Sequence, residues 1–333
     1  MSLELIWAGI LGFVIIMYVV LDGFDLGIGI LFPFIKEEEY RDGMMNTVAP
    51  VWDGNETWLV LGGALLYGAF PLAYSTLLPL LYLPLIFMLC ALIFRGIAFE
   101  FRFKAHSSKK VWDYSFILGS ILTAFLQGVI LGTFVQIPTT LGTSPTSLSL
   151  VWLTPFTLTT GLAVVCGYAL LGATWLIGKT EGSLQDKMFK IARYLLIGLV
   201  VFLGIVSLWT PFISSAIMQR WFSTPNIFYL AILPLLSLIT INYAFRVLKK
   251  RHEHGAFMAS IAIFIFSYTG FIISIWPYIV PGRYTIWQAA ASHSSLVFLL
   301  VGACILLPTL IVYNIFQYRV FKGKVNHESG YHE

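Results

Sequence analysis

The chain has 333 residues, of which 58% are hydrophobic and 11% are charged, and its formal net charge is +4. A soluble domain carries about 25% charged residues, so this composition excludes an ordinary soluble protein. It predicts an integral membrane protein whose surroundings are lipid and partner helices, with no nucleic acid as a ligand.

Apolar segments of roughly 20 residues recur along the chain, and each is long enough to cross a hydrocarbon core of about 30 Å. The start, Met1-Ser2-Leu3-Glu4, lacks the basic n-region of a signal peptide, so the first segment is expected to remain as a helix. We predict an all-α membrane protein with about nine transmembrane helices, near 5–33, 51–70, 77–101, 113–136, 152–178, 193–213, 226–248, 256–279 and 294–318.

Basic residues between these segments fall almost entirely on one side. With nine helices, 17 of the 20 Lys and Arg residues share a side, whereas Arg220 and Arg283 lie opposite and Arg95 lies within the third helix. The positive-inside rule then predicts an outside N-terminus and a cytoplasmic C-terminus.

Charged residues also lie inside the apolar segments of the first hundred residues. Asp22 and Asp25 lie in the first segment, Asp53 and Glu56 open the second, and Arg95 lies in the third. A charged side chain at a helix centre in a membrane costs roughly 2.5–3.5 kcal/mol or more. The predicted orientation places all five in the cytoplasmic half, where they could hold protons, a cation or a structural ion pair.

Structural explanations for the same residues stay open at this point. Asp22 and Asp25 could bind backbone amides at a helix end, and Asp53 could be the N-cap of the second helix. Trp58 could belong to an interfacial aromatic belt, and Arg95 could extend to the headgroups.

A weak internal repeat relates the two halves of the chain. Leu-Pro-Leu occurs at 83–85 and again at 233–235, in the third and seventh predicted helices. Four helices separate these positions, so the repeats would be parallel in topology. We predict one membrane domain, 1–333, with two pseudo-repeated four-helix bundles and a peripheral helix, at 1–140, 150–280 and 290–318, and a cytoplasmic tail, 319–333.

Residues that commonly ligate metals and haems are placed unfavourably for that role. Cys90, Cys166 and Cys304 are single residues within predicted helices, and the chain has no CxxC motif. None of the six histidines falls in the middle of a predicted helix. We therefore predict no metal site, disulfide framework or haem ligated by two helical histidines in this chain.

Three motifs carry a family resemblance. The runs LDGFDLG at 21–27, PVWDGNETWL at 50–59 and FRGIAFEFR at 94–102 resemble signature segments of subunit II of the cytochrome bd-type quinol oxidases. The resemblance implies a bacterial or archaeal respiratory complex in the cell membrane that oxidises quinol and reduces oxygen to water. In this family subunit I ligates two b-type haems and one haem d, whereas subunit II ligates none and is not expected to be catalytic alone. Whether small single-helix subunits attach, and whether a structural quinone binds in this subunit, stays open.

The resemblance also implies roles for individual residues. Asp53 and Trp58 resemble elements of a proton path that leads from the cytoplasm towards haem d. Asp25 and Asp22 would be neighbours on this path, and Glu56 is a further candidate.

Arg95 is expected to stabilise ionised carboxylates or to pair with Glu100 further along its own helix.

Two rival functions are a secondary transporter that uses the acids as a cation site and a purely structural scaffold. A transporter is expected to have broken helices at corresponding positions in both halves. The charges lie in one half only, which counts against a transporter.

Overall fold

The computed structural model describes residues 2–105, 107–140 and 152–325. In this part of the chain the first five helices are α1 (Leu3–Leu31), α2 (Glu38–Asn46), α3 (Trp52–Ala69), α4 (Pro71–Arg102) and α5 (Lys109–Thr140). They are followed by α6 (Pro155–Lys179), α7 (Gly182–Ile213), α8 (Ser215–Phe222), α9 (Asn226–Leu230), α10 (Ile232–Lys250), α11 (Glu253–Ile275), α12 (Ile286–Ala289) and α13 (His293–Val320). A short 3₁₀ helix, Phe32–Phe34, follows α1, and strands β1 (Tyr278–Val280) and β2 (Tyr284–Thr285) pair as an antiparallel hairpin.

Within the described ranges, eight helical segments are long and apolar enough to cross a membrane. They contain α1, α4, α5, α6, α7, α10, α11 and α13. The predicted second helix is α3, an 18-residue helix that is less apolar because Asp53, Asn55 and Glu56 occupy its first turns. The predicted all-α membrane fold is confirmed.

Several helices extend further than hydropathy predicts. Helix α4 begins at Pro71 instead of 77, and α7 begins at Gly182 instead of 193. Hydropathy marks the apolar part of a helix, and polar residues continue the backbone hydrogen bonding beyond it. The sequence pattern also missed α2 and the hairpin, because both are short and lie between the apolar segments.

The helices pack as two groups of four. Helices α1, α3, α4 and α5 contact one another in the first bundle, and α6, α7, α10 and α11 contact one another in the second. Helix α13 packs outside these bundles, against α3 and α1. The residue boundaries of the bundles stay predictions, and 150–151 and 326–333 of the predicted bundle and tail lie outside the described residues.

The two bundles meet where α6 packs against α1 and α5. A Cβ atom added to Gly27 would lie 1.9 Å from the carbonyl oxygen of Tyr168, and one on Gly172 would lie 2.5 Å from the carbonyl carbon of Gly27. Small residues allow transmembrane helices to approach at this distance. Glycine at 27 therefore fixes the separation of the helix that carries Asp22 and Asp25 from the second bundle.

Ion pairs gather the basic segments at one end of the molecule. Lys187 pairs with Glu37 at 2.7 Å, and Lys324 pairs with Glu253 at 2.9 Å. Helix α2 lies at the same end, where Arg102 pairs with Asp42 at 2.6 Å. This end, termed the basic end, contains the C-termini of α1, α4, α6, α10 and α13 and the N-termini of α5, α7 and α11. The compartment that it faces stays a prediction.

Candidate functional site

Charged side chains from three helices of the first bundle meet in the interior. Asp22 of α1 and Arg95 of α4 are fully buried, and the Arg95 Nη1 atom donates a hydrogen bond to Asp22 Oδ1 at 2.6 Å. Glu56 of α3 lies on the other side of the guanidinium, with its Oε2 atom 3.7 Å from Arg95 Nη2. Asp25, also fully buried, lies one helical turn after Asp22. These four residues are termed the acid cluster.

The guanidinium of Arg95 lies against two aromatic rings. Its central carbon is 6.0 Å from the ring centroids of both Trp52 and Phe99, which stack on each other with centroids 5.0 Å apart. Aromatic faces attract cations, and here they also exclude water from one side of the charge. Arg95 therefore points into the protein instead of extending to the headgroups.

Glu100 is not the charge partner of Arg95, and that predicted alternative is wrong. Glu100 pairs with Lys104 at 3.6 Å, and both side chains are mostly exposed. Five residues separate Arg95 from Glu100, which places them about 140° apart around an α-helix. The two side chains therefore leave α4 in different directions.

Asp25 is held by an amide and not by a cation. Asn55 of α3, fully buried, donates from Nδ2 to Asp25 Oδ2 at 2.8 Å. Tyr318 of α13 donates to Asn55 Oδ1 at 2.9 Å, which turns the amide nitrogen towards the carboxyl group. Among the described residues Asp25 has no ion pair, so the two neighbouring aspartates have different electrostatic partners.

Several polar atoms of the acid cluster have no hydrogen-bond partner in the described residues. They are Asp22 Oδ2, Asp25 Oδ1, and Arg95 Nε and Nη2. Buried polar groups in proteins are nearly always hydrogen-bonded, to protein or to internal water. A buried water makes two to four such bonds, so this group of atoms has the chemistry to bind water between the acids.

A second hydrogen-bonded chain leads from Tyr18 towards the second bundle. Tyr18 lies one turn before Asp22 on α1, and its hydroxyl accepts from Gln127 Nε2 at 2.7 Å. The hydroxyl of Tyr168 on α6 donates to Gln127 Oε1 at 2.6 Å. Polar side chains thus connect α1, α5 and α6 at the level of the acid cluster.

Asp53 lies outside this interior network. It is exposed and forms no ion pair with a described residue. The N-cap of α3 is Val51, so Asp53 lies in the first helical turn and the N-cap interpretation is wrong. A carboxylate in the first turn is favoured by the helix dipole. Asp53 precedes Glu56 by three residues, so the two acids lie on adjacent positions of the α3 surface.

Trp58 is buried, which excludes a role in an interfacial belt. Its side chain is 1% exposed, and its Nε1 atom donates to Asn314 Oδ1 on α13 at 2.7 Å. The residue therefore joins α3 to α13 beside the acid cluster. Its structural contact is with α13 and not with a carboxylate.

Sequence reasoning missed four residues of the network. Asn55 lies inside a motif, between two acids. An amide side chain in an apolar helix indicates a buried hydrogen bond and could have identified this residue. Gln127 offers the same signal in α5. Tyr168 and Tyr318 gave none, because tyrosine is common in membrane helices and Tyr318 reaches Asn55 across a separation of 263 residues.

The described residues contain no group of three or more His, Cys, Asp and Glu side chains that could hold a metal ion. All three cysteines are free thiols; Cys90 and Cys304 are exposed and Cys166 is partly buried. The side chains that these helices bring together are carboxylates, a guanidinium, amides and hydroxyls, which form the ion pair and the hydrogen bonds described above.

Comparisons with known proteins match nearly the whole chain. The family model described as cytochrome bd terminal oxidase subunit II matches residues 3–321. Cytochrome bd ubiquinol oxidase subunit 2 of Bacillus subtilis (strain 168) is 28% identical, over 98% of this chain and 98% of its own. Cytochrome bd-I ubiquinol oxidase subunit 2 of Escherichia coli (strain K12) is 25% identical, over 98% and 96% of the two chains. A chain of the bd oxidase from Geobacillus thermodenitrificans shares the fold, with a TM-score of 0.77 at 17% identity, over 96% of this chain and 99% of that chain.

Proposed function

Because this chain belongs to the cytochrome bd terminal oxidase subunit II family, we propose that it conducts protons to the oxygen-reducing centre of its haem-bearing partner, subunit I. The chain is a subunit of a respiratory quinol oxidase in the bacterial cytoplasmic membrane. In the proposal, two b-type haems and one haem d lie in subunit I, and quinol is the electron donor.

The difference between the two buried aspartates is the observation that carries this proposal. Oxygen reduction to water consumes protons, and an apolar interior passes them only along titratable or hydrated groups. Asp22 is neutralised by Arg95 at 2.6 Å, so its charge is compensated in place. Asp25 accepts a hydrogen bond from an amide and has no ion pair with a described residue, so none of the described cations fixes its charge. Asp25 is therefore the acid of this cluster that we assign to binding and releasing a proton.

We assign the remaining acids to the link between Asp25 and the protein surface. The Glu56 side chain is 24% exposed and contacts Arg95, so it lies between the interior and the α3 surface. Asp53 lies at that surface, one turn nearer to the basic end. We assign Glu56 and Asp53 to proton exchange across this surface. We assign the Asp22–Arg95 pair to keeping the electrostatic potential around Asp25 constant.

Trp58 has a positioning role in this scheme. Its hydrogen bond to Asn314 holds α13 against α3, and α13 carries the Tyr318 hydroxyl that orients Asn55. A change at Trp58 is expected to alter the rate through this contact and not through loss of a proton-binding group.

Subunit I is proposed to cover the outer face of α3. Asp53, Val60 and Tyr67 are spaced by seven residues and share one side of the helix, and Val60 and Tyr67 are 69% and 64% exposed. A carboxylate facing lipid is costly, whereas a polar partner surface can accommodate it. Crosslinks from cysteine at Val60 are expected to reach subunit I; crosslinks confined to α6, α7, α10 and α11 would contradict this assignment.

Replacement of Asp25 tests the proton role. Asp25→Asn keeps the size of the side chain and removes its ability to ionise. Quinol-driven oxygen consumption is expected to fall by roughly 10²-fold, the usual contribution of a positioned proton-transfer group. Haem absorbance of the purified complex is expected to stay unchanged. Asp186→Asn is the matched control, because Asp186 is an exposed partner of Arg251 at the basic end.

Full turnover of Asp25→Asn at normal haem content would remove the proton role and leave the chain as a scaffold. Loss of haem from Asp25→Asn would also contradict the proposal, because it would place Asp25 in assembly.

A further inference from the structure

A groove opens between α1 and α13 and extends to the basic end. Met17 and Leu21 form its wall on α1, and Ile311 and Ile315 form its wall on α13. Its volume is about 450 Å³, which is enough for part of an extended hydrocarbon chain. The walls are therefore apolar along most of their length.

Two basic residues line the groove at the end of α13. Arg319 and Lys322 line it at the end of α13, both are exposed, and neither has an ion pair with a described residue. Lys324 at the same end, by contrast, pairs with Glu253 at 2.9 Å. The α13 dipole favours cations at a helix C-terminus, but it does not explain why both line the opening of an apolar groove.

A buried amide donor lies further along the same groove. Asn314 lines it and is 5% exposed, and its Nδ2 atom has no hydrogen-bond partner in the described residues. The Oδ1 atom of Asn314 is already occupied by Trp58. A bound molecule with an acceptor oxygen beyond its charged group would satisfy this donor.

We propose that this groove binds an anionic phospholipid. Its phosphate would contact Arg319 and Lys322, an ester oxygen would accept from Asn314, and one acyl chain would lie along the α1 and α13 walls. Basic pockets between transmembrane helices bind anionic headgroups in this way. A quinone head is uncharged and leaves both cations unpaired, and a free phosphate ion leaves the apolar walls uncovered.

The lipid would also support the acid cluster. Tyr318, which lines the groove, donates to Asn55, and Asn55 holds Asp25. A lipid against α13 therefore holds Tyr318 in the position from which it donates to Asn55. This consequence rests on the proposed proton role of Asp25, whereas lipid binding itself does not.

Lipid retention tests the site without reference to activity. The oxidase complex is purified in a mild detergent, and retained lipids are identified by native mass spectrometry followed by extraction. The groove variant is Arg319→Gln/Lys322→Gln. Its matched control is Lys249→Gln/Lys250→Gln, which removes the same charge at the same end from exposed residues outside the groove.

Wild type and control are expected to retain an anionic phospholipid, and the groove variant is expected to retain it roughly tenfold less or lower, because two basic contacts are lost. Equal retention by both variants would overturn the proposal, as would a zwitterionic lipid or a quinone as the retained molecule. Turnover of the groove variant is measured separately: reduced turnover that anionic lipid restores supports the link to Asp25, and normal turnover without the lipid would overturn that link.

Discussion

The Arg95 guanidinium donates a 2.6 Å hydrogen bond to Asp22, and neither side chain has any exposed surface. The pair holds one positive and one negative charge in place within the acid cluster. Breaking a buried pair by removing one partner costs about 3–5 kcal/mol, because the other charge stays buried without compensation. Removing both charges together costs much less.

Variants of this pair are expected to follow that order. Arg95→Gln should be the most destabilising, because it leaves Asp22 and Glu56 without their cation. Asp22→Asn should cost less, since Arg95 keeps Glu56 at 3.7 Å. The double variant Asp22→Asn/Arg95→Gln should recover part of the loss of Arg95→Gln. Thermal inactivation of the assembled complex measures the order, and a double variant less stable than Arg95→Gln would contradict the coupling.

Tyr318 is expected to influence turnover through Asn55. Tyr318→Phe removes only the hydroxyl that donates to Asn55, so the ring packing against Phe24 and Trp175 is kept. One hydrogen bond contributes about 1 kcal/mol, which corresponds to a loss of roughly fivefold in rate. Oxygen consumption at constant haem content gives the value. Tyr313→Phe on the exposed side of α13 is the control, and equal effects of both changes would contradict the role of Asn55.

The crossing of α1 and α6 tolerates no side chain at Gly27. Gly27→Ala places a Cβ atom 1.9 Å from the Tyr168 carbonyl oxygen, so the helices must separate. Gly9→Ala on the same helix meets nothing within 4 Å and should be neutral or slightly stabilising. We expect Gly27→Ala to lower the yield and thermal stability of the complex. Equal yields of the two variants would show that the crossing adapts.

The orientation in the membrane stays a prediction of the charge asymmetry. Reporter fusions after Lys110, at the basic end, and after Gly282, in the hairpin at the opposite end, distinguish the two sides. A cytoplasmic signal is expected at Lys110 and an external signal at Gly282. The same signal at both positions, or the reverse pattern, would contradict the orientation.

The apolar segments and the buried charges could be predicted from the sequence, because both follow from the cost of placing side chains in lipid. The partners of those charges depend on how the helices pack. Asp22 pairs with Arg95 only because α1 and α4 face the same interior, and Asn55 meets Tyr318 only because α13 packs on α3. Helix geometry alone argues against the pairing of Arg95 with Glu100, since a five-residue separation places two side chains on different helix faces.

Capping at α3 shows a different limit. Asp53 before an apolar run predicts an N-cap, but the N-cap is Val51, two residues earlier, and the helix begins at Trp52. This boundary is set by the preceding turn, in which the Val51 amide donates a hydrogen bond to the Val48 carbonyl oxygen. Helix propensity does not predict such a turn.

Proton uptake during a single turnover tests the account most directly. The fully reduced complex reacts with oxygen while a pH-sensitive dye reports protons taken from solution and haem absorbance reports electron transfer. In wild type and Asp186→Asn, uptake is expected to accompany the late steps of oxygen reduction. In Asp25→Asn, oxygen should bind at the normal rate, and proton uptake and the steps that need it should slow together by roughly 10²-fold. Proton uptake in Asp25→Asn at the wild-type rate would contradict the assignment of proton transfer to the acid cluster.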